Sequence, residues 1–172
     1  YEMAAKVAGK NGMAILQDML YFTANQEKEH AIVFYNYLKD VFKDANVSME
    51  ANYPVDLDQD LSSLLEQAAQ HEYDEATSIY KQFGDEAKEE GYVEIATTFY
   101  MICEIEHYHH ERFKKYHNLL TSGKLFNDQS TVKWMCMNCG FIYEGTDALT
   151  ICPVCKNPQG YSLRLDESQF HL

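Results

Sequence analysis

The sequence predicts a mainly α fold, in which a helical bundle is followed by a small metal-binding domain of short β-strands. Three long segments carry apolar residues at steps of three and four, which places those residues on one face of a helix. Only three prolines occur in 172 residues, as long helices require. After the third segment the helical periodicity stops, and four of the five cysteines lie close together. We therefore expect a bundle over residues 1–128 and a small domain over residues 129–172.

The periodic segments give the expected limits of the helices. The first helix of the three runs from Met13 to about Lys43, the second from about Leu57 to Glu90, and the third from Tyr92 to about Leu120. The segment Asp44–Asp58 is long for a connection between neighbouring helices. Residues Tyr1–Val7 have the pattern of a helix end that runs into a stop at Gly9 and Gly12, so we expect the first helix of the bundle to be incomplete at its N-terminus.

Each of the three apolar stripes is interrupted at mid-length by a pair of metal-binding side chains. The pairs are Glu27 with His30, Glu72 with Glu75, and Glu106 with His109. One such pair alone is usually a solvated pair of neighbours, but burying uncompensated carboxylates is costly. Three pairs in phase with the core therefore indicate one shared compensating charge, as in a di-iron or di-manganese helical bundle. The alternative is three amphipathic helices with accidental polar residues in their core positions.

Other chemically capable residues lie outside this pattern. His110 is one residue off the stripe and is a weaker ligand candidate than His109, and His107 is expected to face solvent or to support the ligands. Cys103 is expected to be a small buried residue of the third helix. Trp134 is expected in the core of the small domain.

The small domain carries two Cys-x-x-Cys motifs at the spacing of a metal site. Its four cysteines are Cys136, Cys139, Cys152 and Cys155. Each motif can place two sulfurs on one tetrahedral ion, and a domain of this size usually needs such a staple. Disulfides are the competing interpretation, but a Cys-x-x-Cys pair closes a strained small loop. A zinc ribbon and an Fe(Cys)4 centre share the geometry, so the spacing alone leaves the metal open.

Composition limits the possible partners. The net charge of −13 argues against nucleic acid, whose phosphates require a basic surface. No run of eighteen apolar residues occurs, so we expect no membrane-spanning segment. An apolar content of 46% is enough for an ordinary core.

The residues around the cysteines resemble the short rubredoxin knuckle, because Gly140, Tyr143, Gly145 and Pro153 accompany the two motifs. A carboxylate–histidine bundle followed by such a tail resembles the rubrerythrin family over essentially the whole chain. The most specific stretches are residues 25–31, 72–75, 89–92, 106–109 and the four-cysteine tail. The resemblance implies a ferritin-like four-helix bundle followed by a rubredoxin-like domain.

The resemblance also implies the ligands and cofactors. Two non-haem irons would be bound, and the catalytic site formed, by Glu27, His30, Glu72, Glu75, Glu106 and His109, with some carboxylates bridging the metals. Glu75 and His30 correspond to the residues that exchange at one iron when the redox state changes. A third iron would be bound by Cys136, Cys139, Cys152 and Cys155, although zinc can replace it after heterologous expression.

One further ligand is expected upstream of this sequence. The first helix of the family supplies a glutamate at a position about two turns before Tyr1. Four carboxylates balance two ferrous ions, whereas a fifth leaves one net negative charge in both the diferrous and the oxide-bridged diferric states. We therefore expect the ligand set within these residues to be one glutamate short.

The resemblance implies a cytoplasmic enzyme of oxidative-stress defence, a non-haem di-iron peroxidase that reduces hydrogen peroxide to water. Electrons would enter through the Fe(Cys)4 centre from rubredoxin or an NAD(P)H-dependent reductase. The resemblance further implies that the protein assembles as a homodimer or a higher homo-oligomer. One alternative is a ferroxidase or iron-handling protein of the ferritin-like class, which needs no one-electron relay. Another is a structural module with a zinc ribbon, which would be colourless where oxidised Fe(Cys)4 is red.

Overall fold

The computed structural model describes residues 1–43, 45–48, 50 and 59–167. In this part of the chain the helices are α1 (Glu2–Lys10), α2 (Ala14–Phe42), α3 (Leu61–Asp74), α4 (Tyr80–Glu89) and α5 (Val93–Thr121). The strands are β1 (Asn127–Cys136), β2 (Ile142–Asp147) and β3 (Ser162–Arg164). The mainly helical chain with a small C-terminal sheet confirms the expected fold class.

The limits of α2 and α5 agree with the prediction to within one residue at each end. Gly91 separates α4 from α5 with φ of +89°, a left-handed conformation that glycine adopts without the steric cost of a Cβ. The N-terminal helix ends at Lys10, between the two glycines, Gly9 and Gly12, that predict its stop. The predicted connection Asp44–Asp58 and the predicted start of the next helix at Leu57 lie mostly or wholly outside the described residues. Within those residues α3 begins after Asp60, whose carboxylate accepts a hydrogen bond from the backbone N–H of Ser63.

The predicted single helix of residues 57–90 contains a π-helical turn. Between α3 and α4 lies the π segment Glu75–Ile79, in which the backbone N–H of Tyr80 bonds to the carbonyl of Glu75, five residues earlier. The hydroxyl of Thr77 donates to the carbonyl of Tyr73, 2.7 Å away. The wider turn accommodates one extra residue in the helix.

That extra residue shifts the helix face that follows it, which corrects one sequence expectation. The α-helical period predicts Ile79 and Phe83 in the core stripe, but they are 40% and 42% exposed. Tyr80 is partly buried and Gly84 is buried instead. The residues that face the core are therefore one position later than predicted, because the π turn is wider than an α turn.

The chain forms two compact units. One unit contains residues Phe22–Lys115, and the other contains Tyr1–Tyr21 together with Tyr116–Leu172. In the first unit α2, α4 and α5 meet through aromatic rings: Phe34 stacks on Phe99 with centroids 4.7 Å apart, and Tyr80 packs within 6 Å of both rings. A Cβ at Gly84 would lie 2.5 Å from the ring of Tyr100, so α4 and α5 also approach closely.

The second unit contains the antiparallel sheet in the order β2-β1-β3. Trp134 on β1 is fully buried, and its indole N–H donates to the carbonyl of Gly145 on β2. In the same unit, Gly160 lies against the turn between α1 and α2, where a Cβ would overlap the backbone oxygen of Gly12. The short 3-10 turn before β3 and the turn between α1 and α2 are therefore packed together with almost no space between their backbones.

The two longest helices, α2 and α5, contain 29 residues each. Even so, no helix in the described part of the chain combines the length and the apolar character needed to cross a bilayer.

Candidate metal centres

Two histidines and two carboxylates form a paired arrangement between α2 and α5. Glu27 places Oε1 2.7 Å from Nδ1 of His109 and Oε2 3.1 Å from Nδ1 of His30. Glu106 does the same, with Oε2 2.8 Å from His109 and Oε1 3.0 Å from His30. Each carboxylate thus presents one oxygen to each imidazole, which is the arrangement that bridging carboxylates have between two metal ions.

The third helix contributes to the same group. Glu72 of α3 is fully buried and places Oε2 3.4 Å from Nδ1 of His109. One ligand atom from each of Glu27, Glu72, Glu106 and His109 lies within 4.8 Å of the others. We refer to Glu27, His30, Glu72, Glu106 and His109 as the glutamate–histidine cluster.

The spacing and burial of these atoms fit a metal site. Ligands about 2.1 Å from one ion in octahedral geometry are about 3 Å apart, as the nitrogen and oxygen atoms of the cluster are. Both oxygens of Glu106 and Nδ1 of His109 are buried and make no hydrogen bond of acceptable geometry within the described residues. Such atoms are costly without a partner, and carboxylate and imidazole donors suit iron and similar divalent ions.

Without metal, protons compensate the carboxylates. Burial opposes a charge on His30, but Glu106 and Glu27 outweigh it and raise the pKa of His30 to about 9. Burial likewise opposes a charge on His109, and Glu106, Glu27 and Glu72 raise its pKa to about 11. The histidines in turn lower the pKa of Glu27 and Glu106 despite their burial. The metal-free cluster is therefore an ion-paired site in which imidazolium occupies the place of a cation.

The sixth predicted ligand, Glu75, lies at the first residue of the π segment and is partly buried. Its burial raises its pKa to about 8, and the nearby carboxylates of Glu72, Glu106 and Glu27 add to this shift. Glu75 is therefore close enough to feel the cluster charges, but it does not belong to the group whose ligand atoms converge. Wide helical turns of this kind are frequent at functional sites.

These pKa shifts predict that the stability of the metal-free protein falls as the pH rises, whereas the stabilisation by bound metal increases. His30, His109 and Glu75 all have pKa values in the folded state above their ordinary ones, so the folded protein binds more protons than the unfolded chain. Each contribution is fully present below the ordinary pKa of the group, 6.5 for the two histidines and 4.5 for Glu75. It is lost as the pH rises through the folded-state pKa, about 9 for His30, about 11 for His109 and about 8 for Glu75, so stability falls between pH 6.5 and 9. Metal displaces those protons, so its stabilising effect should increase over the same range.

We expect the melting temperature of the chelator-treated protein to fall between pH 6.5 and 9, measured by circular dichroism. The lowered pKa values of Glu27 and Glu106 do not affect this window, because both carboxylates are ionised throughout it. The gap between metal-loaded and metal-free melting temperatures should widen as the pH rises. A metal-free melting temperature that rises over this range would contradict the ion-paired description of the site.

Sequence reasoning missed two polar residues next to the cluster. Gln26 places Oε1 3.2 Å from Nε2 of His109, and Nη1 of Arg112 donates to the same oxygen over 2.9 Å. The available signals were that Gln26 precedes Glu27, that Arg112 follows His109 by one helical turn, and that polar Thr23 interrupts the apolar stripe. None of these signals specifies a contact between α2 and α5.

Three residues that the sequence ranked lower lie outside the cluster. His110 bonds through Nδ1 to the carbonyl of Ala69 over 2.7 Å, and His107 is exposed. Cys103 is partly buried rather than fully buried, and burial raises the pKa of its thiol.

The second centre is formed by two similar backbone loops. In one loop the N–H of Gly140 donates to the carbonyl of Cys136, and in the other the N–H of Lys156 donates to the carbonyl of Cys152. Gly140 and Lys156 both have positive φ, 76° and 65°, so each loop requires a left-handed residue directly after its second cysteine. Glycine meets this requirement without strain, whereas Lys156 meets it at an energetic cost.

The loops bring four sulfurs together, which we call the cysteine cluster: Cys136, Cys139, Cys152 and Cys155. The Sγ atoms of Cys136 and Cys155 are 3.6 Å apart, as are those of Cys139 and Cys152. A tetrahedral ion with bonds of about 2.3 Å holds its sulfurs about 3.7 Å apart, whereas a disulfide bond is about 2 Å long. The backbone N–H of Asn157 lowers the pKa of Cys155 to about 6, which favours the thiolate that a metal needs.

The two clusters provide the donor sets expected for the iron cofactors: carboxylate and imidazole in the helices, and four thiolates in the small domain. The first set fits a pair of non-haem irons and the second fits one tetrahedral iron.

Comparison with known proteins matches both parts of the chain. The family model described as rubrerythrin matches residues 1–117, and the one described as rubrerythrin, rubredoxin-like domain, matches residues 134–161. The rubrerythrin of Clostridium perfringens (strain 13 / Type A) is 41% identical over 161 residues, which cover 94% of this chain and 83% of that protein. The rubrerythrin of Nitratidesulfovibrio vulgaris is 34% identical over 154 residues, covering 90% of this chain and 78% of that protein.

Solved structures of nigerythrin share the fold. Its mixed-valence state superimposes with a TM-score of 0.61 at 22% identity, covering 95% of this chain and 76% of that chain. Its fully reduced, all-ferrous state superimposes with a TM-score of 0.59 at 22% identity, covering 95% of this chain and 77% of that one.

Proposed function

This chain belongs to the rubrerythrin family, a group of oxidoreductases, and from that premise we propose that it reduces hydrogen peroxide to water. The proposed ligands of two irons are Glu27, His30, Glu72, Glu75, Glu106 and His109. The proposed ligands of a third iron are Cys136, Cys139, Cys152 and Cys155. We also propose that these centres belong to domains covering residues 1–128 and 129–172.

One observation carries the proposal: a paired carboxylate–imidazole cluster and a four-thiolate cluster occur in the same chain. Reduction of one peroxide consumes two electrons and two protons and yields two water molecules. Two ferrous ions would supply both electrons at once for cleavage of the O–O bond, and an Fe(Cys)4 centre would return them one at a time. An iron-storage protein has no use for that second centre.

The protein's contribution begins with orientation. Glu27 and Glu106 each direct one oxygen to His30 and the other to His109, so both carboxylates would help to hold the two irons beside these imidazoles. Glu106 and His109 are almost completely buried, which keeps bulk water away from the ligands and strengthens their electrostatic interactions. These groups therefore form a largely buried site before any substrate arrives.

An aromatic group borders this site in the direction of the π segment. Tyr80 packs against Phe34 and Phe99, and burial, followed by the charge of Glu75, raises the pKa of its phenol. The hydroxyl of Tyr80 therefore stays protonated at neutral pH, as a neutral O–H donor near the carboxylates.

The proposed activity is tested by oxidising the fully reduced protein with hydrogen peroxide and with dioxygen in a stopped-flow spectrometer. We expect oxidation by peroxide to be faster by at least about tenfold, because the two electrons of a diferrous cluster complete the reduction of peroxide to water, whereas dioxygen needs four. Equal rates with both oxidants, or faster oxidation by dioxygen, would favour the ferroxidase alternative.

The electron route is tested with Cys155→Ser and the matched control Cys103→Ser, which changes the one cysteine outside the cysteine cluster. In Cys155→Ser a single oxidation by peroxide should be retained, while repeated turnover with reduced rubredoxin as donor should fall by at least about tenfold. Cys103→Ser should retain both. Retained turnover in Cys155→Ser, or zinc and no red colour in the natively expressed protein, would remove the electron-inlet role.

A further inference from the structure

The two ring nitrogens of His109 have different environments. Nδ1 lies 2.7 Å from Glu27, 2.8 Å from Glu106 and 3.4 Å from Glu72, so it is the nitrogen that faces the metal position. Nε2 points away from that position and lies 3.2 Å from Oε1 of Gln26. A neutral imidazole can offer a lone pair at Nδ1 only if its proton is at Nε2.

Arg112 fixes the orientation of the Gln26 amide. Its Nη1 donates to Oε1 of Gln26 over 2.9 Å. A guanidinium group has five donors and no acceptor, and it stays protonated at all relevant pH values. The amide must therefore turn its oxygen, and not its NH2 group, towards Arg112 and His109. An oxygen in that position can only accept, so Nε2 of His109 must carry the proton.

Arg112 is itself held in place. The same Nη1 donates to the hydroxyl of Thr23 over 2.9 Å, and Thr23 is completely buried. The guanidinium carbon also lies 5.0 Å from the ring centre of Phe22, within the range of a cation–π interaction. Thr23 and Phe22, both on α2, thus hold Arg112 in place. Arg112 in turn orients Gln26, which lies on the same helix.

His30 lacks this support. Within the described residues, the hydrogen bonds and ion pairs of His30 all involve Nδ1, with Glu27 and Glu106 as partners. The cluster therefore contains one imidazole with a fixed proton position and one without it. His30 provides an internal comparison for any measurement on His109.

We propose that Gln26, oriented by Arg112, is a positioning residue that holds His109 as the Nε2–H tautomer and so keeps Nδ1 available to the metal. The inference rests on the proposed metal ligands but not on peroxide as substrate. A partner that supports a metal-bound histidine in this way typically changes metal affinity by about 10–100-fold. As a neutral acceptor, Gln26 also gives His109 less electron density than a carboxylate would.

The test measures zinc binding, because zinc is redox-inert and diamagnetic. The cysteine cluster is first filled with zinc, and the affinity of the glutamate–histidine cluster is then measured by competition with a chromophoric chelator. Gln26→Leu should weaken zinc binding there by about 10–100-fold. The matched control is Gln70→Leu, which removes an exposed glutamine of α3 whose amide N–H donates to Asp74 on the same helix; it should leave the affinity unchanged.

Three further results separate positioning from a general structural role. Gln26→Glu should recover the affinity, because a carboxylate oxygen can also accept from Nε2, and it should lower the reduction potential of the iron-loaded cluster. In the zinc-loaded protein, NMR should show a slowly exchanging Nε2 proton on His109 that exchanges rapidly in Gln26→Leu, while His30 stays unchanged. Arg112→Met should weaken binding, and the Arg112→Met, Gln26→Leu double variant should bind no worse than Gln26→Leu alone.

Failure of the proposed metal site and failure of the positioning role of Gln26 give different results. If the wild-type cluster binds no zinc, the proposed metal site is wrong and the inference is wrong with it. If the wild type binds zinc and the zinc affinity of Gln26→Leu is within twofold of the wild-type affinity, only the positioning role is wrong. Additive losses of affinity in the double variant would also contradict the positioning role. If Gln26→Leu folds poorly, the zinc affinity of Gln26→Asn is measured instead, because the shorter amide of asparagine cannot reach Nε2 of His109.

Discussion

Replacing His109 with alanine is expected to lower peroxide turnover by more than about 100-fold and to leave the glutamate–histidine cluster largely without metal. His109 supplies the nitrogen around which three carboxylate oxygens converge. Its loss removes a ligand and also removes the cation that compensates Glu27, Glu72 and Glu106 when no metal is bound. Glu106→Ala should have a comparable effect, because it removes the carboxylate whose two oxygens face His30 and His109. Metal analysis and stopped-flow turnover measure both outcomes.

Matched controls lie two residues away on the same helix, α5. His107→Ala and Glu104→Ala remove exposed side chains of the same types and should keep metal content and turnover near wild type. The visible spectrum of the cysteine cluster should be unchanged in all four variants, because that cluster has its own ligands. Full metal occupancy and turnover in His109→Ala would show that the site has been misplaced.

Replacing Gly160 with alanine is expected to destabilise the unit that contains the cysteine cluster. The added Cβ would overlap the backbone oxygen of Gly12 and lie 2.9 Å from its carbonyl carbon, and neither backbone can yield without moving the turn between α1 and α2. Overpacking of this kind costs about 2–3 kcal/mol. For a unit of fewer than a hundred residues, that loss lowers the melting temperature by about 10–20 °C.

Trp134 provides a local measurement of this effect, because it is the single tryptophan of the chain and is fully buried in that unit. Its fluorescence in zinc-loaded protein should report the earlier unfolding of Gly160→Ala. Gly145→Ala is the matched control, because its Cβ would make only an ordinary contact of 3.6 Å with Asp147. Equal melting temperatures for the two variants would mean that the close approach at Gly12 is relaxed in solution.

The sequence predicts the parts of this molecule that depend on local periodicity. The stripe spacing places Glu27, Glu106 and His109 on inward helix faces, and the structure brings those three side chains together. The limits of α2 and α5 follow from the same periodicity and from Gly91. The cysteine spacing is equally local, since each pair of sulfurs belongs to one short loop.

The remaining features depend on contacts between distant segments, which local patterns do not specify. Nothing around Glu75 distinguishes a π turn from an α turn, so the exposure of Ile79 was not predicted. The contact of Gln26 with Arg112 joins residues that are 86 positions apart. The close approach of Gly160 to Gly12 likewise requires knowledge of which segments pack together.

The π turn determines where the continuous helix formed by α3, the π segment and α4 can gain or lose a residue. The turn Glu75–Ile79 contains one residue more than an α-helix would need, and α3 and α4 continue on either side of it. A deletion of one residue after Glu75 would restore ordinary helical hydrogen bonding while α3 and α4 kept their orientations. The same deletion inside α3 or α4 would instead rotate the following side chains by about 100° away from their partners. This turn is therefore the position in the helix where evolution could gain or lose a residue at the least structural cost.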